Sequence, residues 1–236
     1  MTRDAAIVLL TLDEIEGLTL LWDRLPRRAF AETFAVDGGS TDGTRTFLEA
    51  RHVPVHDQPV PGRGVAFRVA ARVARASRLV FFSPDGNEDP ADIERLDDLL
   101  LGGARLAIAS RFAPGARNEE DGGLFRPRAR VNRAFTALAN RLFHRGPPVT
   151  DAINGFRAVR RDDLLALGTT ATGFPIEYQI TLRAMERGWP IAEAPTREDP
   201  RAGGASKCRS WPAGRDHLGV LLAELPRARF LRDRRG

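Results

Sequence analysis

Strand-like and helix-like apolar patterns alternate through the first half of the chain. Ala5 to Leu10 is an unbroken apolar run, the mark of a strand buried on both faces of a parallel sheet. Leu18, Leu21, Trp22 and Leu25 follow at the spacing of one helix face. Thr33 to Val36 predicts a second strand. Thr44, Phe47, Leu48 and Arg51 predict a second helix, and Val53 to Val55 a short third strand. Gly64 to Arg75 is an alanine-rich helix pattern and Leu79 to Phe82 a fourth strand. Pro90 to Leu101 reads as a helix with proline in its first turn, and Leu106 to Ala109 as a fifth strand. This βαβα rhythm predicts an α/β fold, a mostly parallel central sheet flanked by helices.

The second half is less regular. Pro114 to Pro127 is rich in glycine and charge and reads as a mobile loop. Arg128 to Phe143 carries Val131, Phe135, Leu138 and Leu142 at helical spacing. Ile176 to Arg187 predicts a further helix, and Pro190 to Ala194 a short strand. Glu198 to Gly214 mixes Pro, Gly, Ser and charge, the pattern of a loop that is flexible when empty. His217 to Leu225 has the pattern of an amphipathic helix, and the tail from Pro226 to Gly236 is strongly basic.

Composition narrows the class. With 236 residues, 42% of them hydrophobic, the chain can bury a real core. No apolar run approaches the roughly 20 residues needed to span a bilayer. Met1-Thr2-Arg3-Asp4 leads straight into a strand pattern without the form of a signal peptide. The lone Cys208 excludes an internal disulfide and fits a reducing compartment. The expectation is a cytoplasmic protein, at most peripheral at the inner membrane face. The charge balance is basic, 36 Lys+Arg against 31 Asp+Glu, and Lys207 is the only lysine. The bases are spread along the chain with no aromatic-interleaved stripe, so no nucleic-acid partner is expected, whereas small acidic partners fit. His52, His56, His144 and His217 show no metal spacing.

Two acidic turns carry the chemistry. The second strand runs into Asp37-Gly38-Gly39-Ser40-Thr41-Asp42-Gly43-Thr44, a carboxylate at a strand end followed by glycines that let backbone approach a ligand. Ser40 or Thr41 is placed to cap the next helix. The fourth strand ends in Ser83-Pro84-Asp85-Gly86-Asn87-Glu88-Asp89-Pro90. Ligands of doubly wound sheets sit outside the carboxyl ends of the strands, so both acids face one crevice. Asp85 and Asn87 offer hard oxygen ligands for Mg²⁺ or Mn²⁺ bridging a diphosphate.

The order and spacing of these motifs resemble the family 2 glycosyltransferases of the GT-A type, nearest the dolichol-phosphate mannose synthase-like branch, over about Ala5 to Lys207. Thr11-Leu12-Asp13-Glu14 stands where that family has an Asn-Glu pair. Asp37 to Thr44 resembles its Asp-Asp-Gly-Ser-x-Asp-Gly-Thr, and Ser83, Asp85 and Asn87 its Asp-x-Asp-x-Gln metal motif. Ala109-Ser110-Arg111-Phe112 resembles the segment after the fifth strand. Thr150-Asp151-Ala152-Ile153-Asn154-Gly155-Phe156-Arg157, Gly173-Phe174 with Glu177, and Arg201 to Lys207 resemble an acceptor-side motif, a helix start and an Arg-x-Gly-Gly-x-Ser-Lys loop. Two departures stand out: Gly38 replaces a second acid, and Ser83 replaces the first acid of the metal motif.

The resemblance implies a Rossmann-like GT-A domain over residues 1–214. Its donor half is about 1–111 and its acceptor half about 112–214, with a helix and basic tail at 215–236. It implies inverting transfer from a GDP- or UDP-linked sugar. Thr11, Asp13, Glu14, Asp37, Gly38, Ser83, Asp85 and Ser206 are the expected donor contacts, with Asp85 and Asn87 the metal ligands. Arg111, Asp151, Arg201 and Lys207 carry the catalytic assignment, and Gly203 and Gly204 would hinge the Lys207 loop. Arg128, Asn132, Arg133 and Glu177 are placed at the acceptor. A polyprenyl phosphate, with a second pKa of about 6, is already anionic and needs arginines rather than a base. It would be met peripherally through the C-terminal helix and tail. A soluble hydroxyl acceptor would need Asp151 as base, and loss of two acids also fits a non-catalytic nucleotide-sugar binder. Asp151 orienting the Asn154-Gly155 turn is the competing reading for that residue.

Overall fold

The computed structural model describes residues 2–118, 120, 127–199, 201–202 and 210–233. In chain order the strands are β1 (Arg3–Thr11), β2 (Phe30–Asp37), β3 (Val55–Asp57), β4 (Arg78–Phe82), β5 (Leu106–Ser110), β6 (Arg157–Arg160) and β7 (Ile191–Pro195). The helices are α1 (Ile15–Leu21), α2 (Thr44–Glu49), α3 (Arg63–Val73), α4 (Asp92–Leu101), α5 (Pro127–Phe143), α6 (Arg161–Leu167), α7 (Ile176–Glu186) and α8 (Ser210–Asp233). The strands form one sheet in the order β3-β2-β1-β4-β6-β5-β7. Only β6 runs antiparallel to its neighbours, β4 and β5, so the expected mostly parallel α/β sheet is present.

Alternation along β1 builds the two cores. Ala5, Ile7 and Leu9 face a layer with Leu18, Leu21, Leu48, Ile93, Leu96 and Leu100 from α1, α2 and α4. Ala6, Val8 and Leu10 face the other layer, with residues of α3, α5, α6, α7 and α8. Phe67 stacks on Phe81 there, ring centroids 3.9 Å apart. Each buried Leu or Phe contributes about 1.5–3 kcal/mol. These two layers bury β1 on both sides, which is why its sequence is an unbroken apolar run.

Several expectations shift. The third strand lies at Val55–Asp57, past the apolar Val53, because only there does it pair with β2. Helix α4 starts at Asp92, beyond Pro90. Strand β6 and helix α6 were not expected: arginines at both ends of Arg157–Arg160 hide a strand inserted between β4 and β5. Within the expected mobile loop, Arg117 makes a parallel bridge with Arg197. Helix α8 begins at Ser210, runs through residue 214, where the sequence placed a boundary, and continues across Pro226 into the basic tail. It packs on α5 and α7. His217 lies buried beside the Phe135 and Tyr178 rings, and Glu224 pairs with Arg183 at 2.6 Å. Among the described residues no helix is long and apolar enough to cross a membrane.

Candidate active site

Parallel register brings the ends of β1 and β2 level, Thr11 opposite Asp37, with the end of β4 beside them. Because β6 is antiparallel, the Asp151–Phe156 loop that precedes it opens on the same edge of the sheet. The edge carries three groups of polar side chains.

The first is built around Asp37, which is buried. It accepts hydrogen bonds from Thr11 Oγ1 (2.8 Å), Ser40 Oγ (2.5 Å) and the N–H groups of Gly39 (3.0 Å) and Ser40 (2.9 Å), and pairs with Arg45 at 3.3 Å. Burial would raise the Asp37 carboxyl, but these donors hold it below its ordinary value. Its two oxygens are thus spent shaping the turn. Asp13 accepts from the Thr41 N–H at 2.7 Å and its own N–H donates to Ser40 Oγ at 2.9 Å. The Glu14 N–H donates to Thr44 Oγ1 at 2.8 Å. The helix cap expected from Ser40 or Thr41 is absent: Gly43 is the N-cap of α2, and Asp42 accepts from the Thr44 N–H instead. A Cβ at Gly38 would find only ordinary contacts, Gln58 Nε2 at 3.4 Å and Leu12 Cβ at 3.5 Å. Space therefore does not explain the missing acid.

The second group follows β4. Arg201 pairs with Asp85 and comes within 4.0 Å of Glu14. The Ala202 N–H donates to the Asp85 carbonyl at 3.0 Å, and Asn87 Nδ2 donates to the Asp199 carbonyl at 2.7 Å. Asp199, Arg201 and Ala202 thus lie directly on the metal-motif turn. Ser83 N–H donates to Glu88 at 2.7 Å, and burial together with the nearby Asp85 charge pushes the Glu88 carboxyl well up.

The third group is Arg111 with Asp151. Arg111 donates through Nε (2.7 Å), Nη2 (3.0 Å) and its N–H (3.2 Å); Asp151 also accepts from the N–H groups of Ile153 and Asn154 at 3.3 and 3.1 Å. Asp151 is fully buried, at 0% exposure. Burial alone would raise its carboxyl, yet Arg111 and the backbone donors hold it below the usual range. Arg133, on the second turn of α5, lies 4.8 Å over the Phe112 ring, which Arg111 also approaches. Arg128 and Asn132 occupy the first turns of the same helix.

Three relatives bear on this arrangement. The chain is 34% identical over 211 residues to an uncharacterized glycosyltransferase of Mycobacterium tuberculosis, covering 88% of this chain and 91% of the relative. It is 30% identical over 223 residues to the polyprenol monophosphomannose synthase of Mycolicibacterium smegmatis, covering 87% and 81%. It is 31% identical over 211 residues to the glycosyltransferase AglJ of Haloferax volcanii, covering 86% of this chain and 66% of that relative. The chain is a family 2 glycosyltransferase. No protein-family model matches it. Its fold is GT-A: the glucosyl-3-phosphoglycerate synthase of Mycobacterium tuberculosis, solved with Mn²⁺, UDP and glucosyl-3-phosphoglycerate, superposes with a TM-score of 0.75 at 20% identity, over 95% of this chain and 80% of that one.

The glycosyltransferase thus brings Thr11, Asp13, Glu14, Asp37 and Gly38 together at one end of the edge, and Ser83, Asp85, Asn87 and Arg201 at the next. Ser206 and Lys207, with Gly203, Gly204 and Cys208, lie outside the described residues. Among the described residues no three His, Cys, Asp or Glu side chains cluster as a ready metal cage. What is present fits a different kind of site: one strand-end carboxylate, Asp85, with Asn87 beside it. A magnesium-like ion needs only one or two carboxylates when substrate phosphates complete its shell.

Two further arginines, one buried and one part-buried, stand at this edge without an expected role. Arg157 is fully buried, its guanidinium donating to the carbonyls of Asn154 and Glu177 and to Thr181. Burial lowers its pKa to about 10, so it stays charged. Arg63 pairs with Glu177 and donates to Ser83 Oγ at 3.1 Å. Its signal was present as a lone charge between two glycines, Gly62-Arg63-Gly64, ahead of an apolar helix face.

Proposed function

We propose that this glycosyltransferase moves a sugar, with inversion, from a UDP- or GDP-linked donor to a polyprenyl phosphate. The observation that carries the choice of acceptor is the Arg111–Asp151 pair: the carboxylate expected to serve a hydroxyl acceptor as base is buried and consumed by five donors. An acceptor that arrives ionised needs no base. The named polyprenol relative supports the same acceptor.

The nucleoside lies against the Asp13–Glu14 and Asp37–Ser40 turns, Asp37 acting through the turn it shapes. Asp85 and Asn87 would hold Mg²⁺ or Mn²⁺ against the diphosphate; when bound, the ion neutralises leaving-group charge. Arg201 is positioned to exchange Asp85 for a phosphate oxygen, and Lys207 follows it in the chain. Arg111, Arg128 and Arg133 hold the acceptor phosphate. Its oxygen attacks the anomeric carbon as the bond from that carbon to the β-phosphate oxygen breaks, and the nucleoside diphosphate leaves. Helix α8 and the basic tail provide peripheral contact with an anionic membrane.

The test is transfer from radiolabelled GDP-mannose and UDP-glucose, with Mn²⁺, to polyprenyl phosphate and to a panel of soluble hydroxyl acceptors. Label appearing in the lipid fraction supports the reading. Label moving only to a soluble hydroxyl, or not at all, overturns it.

A further inference from the structure

Arg63 joins three segments at the open edge of the sheet. It begins α3, and its Nε donates to Glu177 Oε1 in the first turn of α7. Its Nη1 donates to Ser83 Oγ after β4, at 3.1 Å. Its Nη2 lies against Gly155, where an added Cβ would overlap it, with Glu177 Oε1 only 3.0 Å from the same point. The Glu177 side chain is 3% exposed and that of Arg63 is 18% exposed. Glu177 Oε2 is buried and has no hydrogen-bond partner among the described residues. Burial opposes the Arg63 charge, but the neighbouring Glu177 and Glu88 side chains more than offset it and hold the guanidinium above its ordinary value.

A buried carboxylate oxygen left without a donor is unfavourable, and a ligand hydroxyl satisfies it. The location says which ligand. A donor held by its nucleoside near β1 and β2 and by its diphosphate at Asp85 extends its sugar onward over Ser83, Gly155 and the start of α7. Resting on the donor reading above, we infer that Arg63 and Glu177 form the subsite for the transferred sugar. Glu177 Oε2 accepts a hydrogen bond from a sugar hydroxyl. Arg63 is a positioning residue that fixes the carboxylate through Oε1 and ties it to Ser83. Glu177 then serves the donor sugar rather than the acceptor.

Calorimetric titration of UDP, GDP, UDP-glucose and GDP-mannose in the presence of Mn²⁺ tests this. The proteins are the full chain, Arg63→Lys, and the double variant Arg63→Met/Glu177→Gln, which removes both charges and so leaves no lone buried ion. The quantity read is the affinity of the sugar nucleotide relative to its own diphosphate. In the double variant this ratio falls about 10-fold or more while diphosphate affinity stays within about twofold. Arg63→Lys, which keeps the charge without the fork, restores part of the ratio. An unchanged ratio in the double variant, or equal losses for diphosphate and sugar nucleotide, overturns the inference. A native chain that binds neither diphosphate sinks the donor reading itself, and the inference with it.

Discussion

Asp151→Asn separates a structural carboxylate from a catalytic base. The substitution keeps shape but removes the charge opposite Arg111 and turns one acceptor atom into a donor. At least one of the five hydrogen bonds to this side chain then faces a donor with a donor. Breaking a buried ion pair from one side costs about 3–5 kcal/mol. At about 2–4 °C per kcal/mol for a chain of this size, Tm falls by roughly 6–20 °C. The native pair also has a defined pH signature. Because the folded carboxyl sits below its ordinary value, its stabilisation is complete above the unfolded pKa of about 3.9 and is lost as pH falls through the lower folded value. Native stability therefore shows no Asp151 titration near neutrality. Denaturant unfolding of both proteins, with transfer rates taken where the variant is still folded, measures both sides. A variant within about 1 kcal/mol of native stability that loses the roughly 10²–10⁴-fold expected of a missing base would refute the reasoning.

Three further substitutions test other joints of the site. Gly155→Ala drives a methyl into Arg63 Nη2, so sugar-nucleotide affinity should fall while diphosphate affinity holds, read by the same titrations. Gly17→Ala, in α1, places a Cβ against the Pro84 carbonyl and the Asp85 backbone. It should shift the Asp85 turn and weaken Mn²⁺-dependent nucleotide binding, with an overpacking cost of about 1–3 kcal/mol by denaturation. Gly38→Asp meets only ordinary contacts, so it should fold with native stability to within about 1 kcal/mol and change the balance between UDP and GDP, measured by competition.

The sheet was legible because its strands are buried on both faces and therefore uniformly apolar, as Ala5 to Leu10 shows. The strand-end acids were legible for the same reason: a carboxylate directly after such a run has no place but the rim. β6 was not, because its role depends on a buried arginine, and Arg157 is buried against Glu177 and Thr181 on α7, about 20 positions further along the chain, as well as the adjacent Asn154 turn. Asp37 shows the limit within the site. Its position at the rim follows from local pattern, but saturation of both oxygens by Thr11, Ser40, Gly39 and Arg45 is a property of the folded turn. The Arg63–Glu177 pair spans 114 positions, so no local spacing could announce it.

The decisive measurement is the thermal stability of the full chain with UDP or GDP, each with and without Mn²⁺, and with Mn²⁺ alone. A ligand that binds only the folded state adds stability by mass action, about 2.7 kcal/mol at a hundredfold excess over Kd, and so raises Tm. One diphosphate should stabilise strongly only with Mn²⁺, and Mn²⁺ alone should do little, because Asp85 is paired with Arg201 until phosphate oxygens arrive. Stabilisation by neither diphosphate, with or without the metal, would contradict a nucleotide-sugar site at this edge of the sheet.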